Sequence, residues 1–243
     1  YSLPGWQFYA SYAKGSKEPN RDDFEAGAVN QPKAEHLHDI EAGVTRRIGA
    51  FSWGANFYYM LYRDQLVLTG KVNDVGAYTR VNIPDSYRMG LELQGSGQFS
   101  KWLRATANLT ISRNKIKNFT EFIDDYDNGG QITVSHNNTD IAFSPALVGG
   151  ATISILPNSQ SELAFISKYV GRQYLDNTQN KARSLNPFFV QDIRASYQFN
   201  NLLFKEWTIA LQVNNLLNRL YEPNGYTFSY FVGGQTVAEN YYF

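Results

Sequence analysis

Leu103-Arg104-Ala105-Thr106-Ala107-Asn108-Leu109-Thr110-Ile111-Ser112 is the stretch whose reading decides the fold. Leu103, Ala105, Ala107, Leu109 and Ile111 are apolar, and every residue between them is polar. A period of two marks a β-strand with one oily and one wet face. A strand of about ten residues, tilted, also matches the hydrocarbon thickness of a bilayer. Trp102 stands at one end, beside the short turn Ser100-Lys101.

Working outward from it, the same plan recurs in both directions. Upstream, Tyr87, Met89, Leu91 and Leu93 oppose Arg88, Gly90, Glu92 and Gln94. Before that, Phe51, Trp53, Ala55, Phe57, Tyr59 and Leu61 share one face of a long strand. Ile40, Ala42 and Val44 mark a strand over roughly Glu35 to Arg47, and Trp6, Phe8, Ala10 and Tyr12 mark a first one. Downstream come Leu147, Gly149, Ala151, Ile153 and Ile155, and then a less regular strand with Leu163, Phe165 and Tyr169. Ile193, Ala195, Tyr197 and Phe199 form the next, and Ile209, Leu211 and Val213 the last clear one. The total is about nine strands.

The connections alternate in length. Short turns lie at Ile48-Gly49-Ala50, Ser100-Lys101, Pro157-Asn158-Ser159 and Asn200-Asn201. Long polar ones are expected over Gly15–Ala34, Gly70–Asp85, Lys115–Ala142, Asp176–Asn186 and Leu220–Phe243. Membrane barrels have short turns on one side and long loops on the other. Phe51, Trp53, Phe99, Trp102, Phe199, Phe204 and Trp207 flank the short turns, where an interfacial aromatic girdle would lie. A soluble β-sandwich would share the alternation but has no reason to keep that order of loops.

Composition agrees with this reading. Among 243 residues, 22 basic and 22 acidic side chains leave no net charge, which gives no electrostatic footing for nucleic-acid binding. Aromatic residues make up 15 %, and they favour strands and membrane interfaces. Cys is absent, so disulfide scaffolds, thiol catalysis and Cys-based zinc sites are excluded. No run approaches the roughly 18 apolar residues of a membrane helix, a test that a barrel passes unseen. The sequence opens at Tyr1 in mid-pattern and reads as part of a longer protein.

Certain segments resemble those of TonB-dependent outer-membrane receptors. Val213-Asn214-Asn215-Leu216-Leu217-Asn218-Arg219-Leu220-Tyr221 is similar to a segment near the C-terminus of that family. Lys17-Glu18-Pro19-Asn20-Arg21-Asp22-Asp23-Phe24 resembles a strand end leading into an outer loop. Ala34-Glu35 with Glu41-Ala42-Gly43 is similar to a P-E…E-x-G strand, with Ala34 in place of Pro. Asn73 to Tyr78, Asn82-Ile83 and Gly90-Leu91-Glu92 resemble the strand that starts the following hairpin. The Asp-rich Asp125–Gly130 and the turn Pro223-Asn224-Gly225 resemble the Bacteroidetes branch.

The resemblance implies an antiparallel transmembrane β-barrel of about 22 strands with an N-terminal plug. It implies a bacterial outer-membrane location and import of a scarce ligand, such as a ferric siderophore or cobalamin. A TonB-type protein would supply energy through the N-terminal part, membrane lipids would surround the barrel, and a surface lipoprotein is a possible further partner. Residues 1–243 would be the C-terminal portion of the barrel, without plug or final strand. A passive pore or scaffold barrel, and a soluble carbohydrate-binding sandwich, are the alternatives.

Candidate site residues follow from the alternation. Arg88, Glu92, Arg104, Asn108, Asp192, Arg194, Gln212 and Asn214 form the wet row that would line a lumen and touch a plug. Arg21, Asp22, Asp124, Asp125 and Asp127 lie in expected outer loops as ligand contacts. His36 and His38, two apart, share a strand face and are weak metal candidates beside Glu35 and Asp39. The Asp124–Gly130 loop departs from a calcium loop, because Gly129 occupies a ligand position and no closing Glu follows. Gly95-Ser96-Gly97 lacks a nucleotide loop's third glycine, and no G-x-S-x-G elbow occurs. Asn118-Phe119-Thr120 and Asn137-Asn138-Thr139 match a glycosylation sequon, which needs a eukaryotic secretory setting. No catalytic constellation and no cofactor motif is present, so the chain does not read as an enzyme.

Overall fold

The computed structural model describes residues 2–26, 31–72, 78–199 and 206–243. Ser2–Leu3 (β1) and Trp6–Lys17 (β2) precede a short helix, Arg21–Ala26 (α1). Glu35–Ile48 (β3), Phe51–Val72 (β4), Tyr78–Ser100 (β5) and Leu103–Asp125 (β6) follow. Then come Gln131–Asp140 (β7), Leu147–Ile155 (β8) and Ser161–Val170 (β9). Two short strands, Gln173–Tyr174 (β10) and Ser184–Leu185 (β11), pair with each other. Phe188–Phe199 (β12), Trp207–Val213 (β13), Gly225–Val232 (β14) and Gln235–Tyr242 (β15) complete the chain.

The main sheet is an antiparallel meander in the order β1-β2-β3-β4-β5-β6-β8-β9-β12-β13. Its register carries one set of faces through every strand. Phe57 lies opposite Ala42 and Leu91, Leu91 opposite Ile111, and Ile111 opposite Leu147. Ile153 lies opposite Phe165, Phe165 opposite Ile193, and Ile193 opposite Val213. All the oily rows therefore fall on one face, because a period of two cannot drift.

That oily face has no partner layer among the described residues. Phe57 is 42 % exposed, Ile153 47 % and Leu211 70 %. Thr45, Ser52, Gln94, Thr106, Asn108 and Thr152, spread from β3 to β8, converge on one groove. Converging side chains belong to the concave face, so the polar rows line the inside of the curve and the apolar rows its convex outside. A β-sandwich would bury those apolar rows between two sheets. The arrangement fits a membrane barrel wall, whose outward band is apolar and whose interior is polar.

Tight turns gather at one end. Ile48 and Phe51 are joined by Gly49 and Ala50, and Gly49 holds a φ of 57°, a left-handed conformation that suits glycine. Aromatic contacts cluster at this end. Trp6 and Trp53 meet edge-on at 5.6 Å, Phe51 and Phe99 at 5.3 Å, and the Arg46 guanidinium lies 4.4 Å over the Trp6 ring. Phe199 and Trp207 stack at 5.9 Å. Phe204 and the turn Asn200-Asn201 lie outside the described residues, as does the centre of the Gly70–Asp85 connection.

The other end is more ordered than the sequence pattern predicts. Strand β4 runs for 22 residues, and β5 and β6 for 23 each. At about 3.3 Å per residue they outrun any bilayer. Much of the Lys115–Ala142 connection is therefore the continuation of β6 and its return as β7, paired from Lys115↔Asp140 to Asp124↔Gln131. Within Leu220–Phe243, β14 and β15 form a hairpin, and β14 adds in parallel to the tip of β6. Alternation fails as a signal here because both faces of these extensions meet water or other loop segments, while the backbone ladder continues. The compact core of the described residues is also here, built from Val67, Ile83, Ile116, Phe119 and Ile141.

Candidate functional site

The concave wall is built by parity. Register places Arg88 and Glu92 on β5, Arg104 and Asn108 on β6, Asp192 and Arg194 on β12, and Gln212 on β13 on the same face. Asn214 follows directly after β13, its Oδ1 accepting from Gln212 Nε2 at 2.6 Å. The eight residues share a wall but divide into local groups.

In the middle of the wall, the Tyr9 hydroxyl donates to Asn56 Oδ1 at 2.7 Å, and Asn56 Nδ2 donates to Glu92 Oε2 at 3.3 Å. Tyr9 on β2 must cross β3 to reach β4. It does so over Gly43, where a Cβ would lie 2.1 Å from the ring. Gly43 of the Glu41-Ala42-Gly43 segment therefore has a packing reason, close approach of a ring to bare backbone. Gly90 serves Tyr58 in the same way, 2.6 Å from its hydroxyl oxygen to a notional Cβ. Arg88 Nη1 donates to Ser144 Oγ at 2.9 Å.

Nearer the short turns, Glu162 on β9 joins two of the predicted residues. Arg104 Nη2 lies 2.9 Å from its Oε1, and Arg194 Nη2 lies 3.9 Å from its Oε2. Glu162 was missing from the sequence reading because β9 alternates poorly. Its position one residue before Leu163 was the available signal. Two buried polar atoms of this wall, Arg194 Nε and Asp39 Oδ1, have no partner among the described residues.

Beyond the membrane-sized band, at the end away from the tight turns, a second network ties the connections together. Arg183 Nη1 lies 2.6 Å from Glu121 Oε1 and 2.9 Å from Asp176 Oδ2. His136 Nε2 meets the other Glu121 oxygen at 3.0 Å. Burial pushes the Glu121 carboxyl up, but Arg183 and His136 outweigh it and hold the group below the ordinary carboxylate value. Burial also depresses Arg183, and its two carboxylate partners outweigh that and raise it. Asn177, fully buried, accepts from Ala142 N and donates to Leu68 O, which fastens the segment between β10 and β11 to β4 and β8's approach.

A model of the family described as TonB-dependent receptor-like β-barrel matches residues 2–216. The chain belongs to that family. Solved structures share the fold. The siderophore receptor PiuA from Acinetobacter baumannii is 17 % identical with a TM-score of 0.67, over 99 % of this chain and 34 % of its own. The ferric yersiniabactin uptake receptor FyuA from Yersinia pestis is 16 % identical with a TM-score of 0.61, over 98 % and 33 %. The pyoverdine outer membrane receptor FpvA from Pseudomonas aeruginosa PAO1 is 14 % identical with a TM-score of 0.57, over 92 % and 31 %. The chain thus spans about a third of the length of these receptors. Comparison with curated proteins gave no match.

In this barrel wall the Asp-rich loop is internally engaged. Asp125 accepts from Asp127 N, Asn128 N and Asn128 Nδ2, and the Asn128 bonds hold its carboxyl below the usual range. Asp124 Oδ1 accepts from Gln131 Nε2 at 2.8 Å. Asp127 caps the turn between β14 and β15, accepting from Gly233 N and Gly234 N at 2.9 Å each. Arg21 opens α1, and the side chain of Asp22 lies outside the described residues. The neighbouring Asp23 is buried and pairs with Arg80 at 3.1 Å. His36 and His38 lie on the convex face, bonded to Ser16 Oγ and the Tyr12 hydroxyl. No cluster of three His, Cys, Asp or Glu suited to a metal occurs among the described residues.

Proposed function

We propose that the chain is the C-terminal wall of an outer-membrane importer that takes up a scarce ligand with energy from a TonB-type protein. Family membership supports the class, and the receptors sharing the fold suggest an iron-chelate or comparable cargo. The observation that carries the reading is the concave wall. Arg88, Glu92, Arg104, Asn108, Asp192, Arg194, Gln212 and Asn214 present hydrogen-bonding groups to the concave side. Polar groups that lose water find hydrogen-bonding partners, so a wall of this kind suits a polar occupant. A plug seated in the lumen would be that occupant. The ordered outer end, closed around Arg183 and Glu121, would present the ligand-contacting surface.

Uptake of labelled ferric siderophores and cobalamin by cells with and without the TonB-type protein tests this. Accumulation that depends on both the receptor and the energy source supports import. Passage that persists without the energy source would support a passive pore instead.

A further inference from the structure

The two faces of the β14–β15 hairpin differ. Thr227 and Ser229 lie on a buried face, where Thr227 Oγ1 bonds to Asn240 Oδ1 at 2.7 Å and Asn240 Nδ2 donates to Ala182 O at 3.1 Å. The other face carries Tyr226, Phe228 and Tyr230 of β14 opposite Tyr241, Glu239 and Val237 of β15. Its rings follow one another in near-parallel planes. Tyr226 and Tyr241 stack at 4.8 Å, Phe228 lies 6.1 Å from Tyr241 and 6.2 Å from Tyr230, and Tyr230 stacks on Tyr126 at 5.4 Å. Tyr241 is 43 % exposed and Tyr126 68 %. Contiguous aromatic surface left open to solvent marks an interaction site.

The row is set among acids. Glu239 Oε1 accepts from the Tyr230 hydroxyl at 2.8 Å, and its Oε2 accepts from the Tyr241 hydroxyl at 2.7 Å. The bonds from Tyr241 and Tyr230 hold the Glu239 carboxyl below its ordinary range. Both hydroxyls spend their protons on Glu239, so this centre has oxygen lone pairs left to offer. Register puts Asp124 beside Tyr230 on the same face. Residues 118–135 and 220–243, which build this tip, contain Glu121, Asp124, Asp125, Asp127, Glu222 and Glu239 and no Lys or Arg. The neighbouring bases are turned elsewhere. Arg183 and His136 are engaged by Glu121, Lys117 has the opposite parity to Asp124 on β6, and Lys181 adjoins Ala182, the partner of the hairpin's other face.

Ring faces and carboxylates both attract cations, and such a surface repels carboxylates and phosphates. A guanidinium is planar and weakly hydrated, so it can stack on a ring and bond a carboxylate at once, whereas an ammonium is a compact, strongly hydrated point charge. The hairpin also offers main chain. Strand β15 pairs only with β14 among the described residues, so its other edge carries unpaired N–H and C=O groups. An extended segment added along that edge would bring alternate side chains beside Glu239 and Tyr241. We propose that this face and edge of the hairpin bind an extended, arginine-bearing segment of a polypeptide partner. The proposal rests on the outer-membrane reading above only for the side of the membrane from which that partner comes.

The test uses the full-length protein carrying this chain, purified in detergent and placed in nanodiscs of zwitterionic phospholipid. Its probe is a fluorescein-labelled, end-blocked peptide of alternating arginine and threonine, compared with the same peptide carrying citrulline or lysine in place of arginine. Fluorescence anisotropy at low salt should show the arginine peptide binding about fivefold tighter than the citrulline peptide and about twofold tighter than the lysine peptide. E239Q should bring the arginine and citrulline peptides within about twofold of each other, and Y126A, which removes an exposed ring outside the hairpin, should weaken the arginine peptide about threefold. Unchanged selectivity in E239Q, or equal binding of all three peptides by the parent, overturns the proposal. Should hydrogen exchange show the hairpin opened in E239Q, Y126A decides, and unchanged affinity there overturns it. Competition by free arginine amide at an equal concentration of side chains would assign the face to a small guanidinium compound and overturn the polypeptide assignment. Methylation of the arginine nitrogens in one peptide and of the threonine nitrogens in another, with neither weakening binding, would overturn the edge pairing. Recovery of the protein from cells without detergent would overturn the outer-membrane reading itself, whereas a membrane-embedded barrel without arginine selectivity overturns this inference alone.

Discussion

Arg183 Nη1 and Glu121 Oε1 lie 2.6 Å apart across 62 residues of sequence. The contact ties the segment between β10 and β11 to the extended part of β6. Both partners are largely buried, with side-chain exposures of 8 % and 13 %. Charge-assisted hydrogen bonds of this kind contribute about 2 kcal/mol when removed. Arg183→Met should therefore loosen the segment without unfolding the barrel wall. Trypsin cleavage at the exposed Lys181 should accelerate by roughly tenfold or more, and unchanged cleavage would show that the remaining ties, among them those of Asn177, Gln179 and Ala182, hold the segment without Arg183.

The same carboxylate makes this end of the sheet acid-sensitive. Glu121 is held below its ordinary value of 4.5, so its contribution is complete above that pH. It is lost as pH falls through the depressed folded value, because the protonated acid binds Arg183 less well. Hydrogen exchange of residues 173–185 should stay constant from pH 7 to 5, after correction for intrinsic rates, and then rise below about pH 4.5. Glu121→Gln should exchange fast throughout, and the step should vanish.

Asp127 accepts from two consecutive backbone N–H groups, Gly233 and Gly234, in the turn between β14 and β15. Its removal leaves both donors to water and frees the hairpin tip from β6. Asp127→Ala should lower the local opening energy of the hairpin by about 1–2 kcal/mol, in the range of a lost cap. Exchange at Tyr126 N, which donates to Phe231 O, reads it directly. Asp127→Asn should keep part of the effect, since one amide oxygen can serve only part of what two carboxylate oxygens serve.

How much of this was legible in the sequence depends on whether one face met lipid. Along Leu103–Ile111 and Phe51–Leu61 each residue has a single environment, apolar outside and hydrated inside, so alternation alone places every side chain. At Lys115 to Asp140 that contrast disappears, and a strand pair reads as a polar loop. Asp124, Asp125 and Asp127 read as ligand candidates from their place in an expected loop; that they also hold local structure, through Asn128, Gln131 and a turn 106 residues away, needed the three-dimensional structure. His36 and His38 read as a strand face with metal-ligand spacing; that the face is the convex one, beside Lys14 and Arg63, required the register of three strands. Glu162 was hidden by a strand, Ser161–Val170, whose outward row includes Ser167.

Sidedness itself can be tested at adjacent residues of the deciding stretch. Leu109 and Thr110 are neighbours on β6, opposite Gly149 and Val148 of β8, and present opposite faces. An arginine on the lipid face of a barrel costs about 2–4 kcal/mol near the bilayer midplane, whereas lumen positions tolerate charge. Leu109→Arg should therefore lower the urea midpoint and reduce the amount assembled in the membrane. Thr110→Arg should assemble like the parent, because its guanidinium enters a hydrated interior beside Glu92, its register partner on β5. The two substitutions add the same side chain and the same charge at neighbouring positions, and strand propensity spans only about 1 kcal/mol, so the face dominates the comparison. The reverse order of severity would place Leu109 inside and contradict the face assignment of the whole meander, β2-β3-β4-β5-β6-β8-β9-β12-β13.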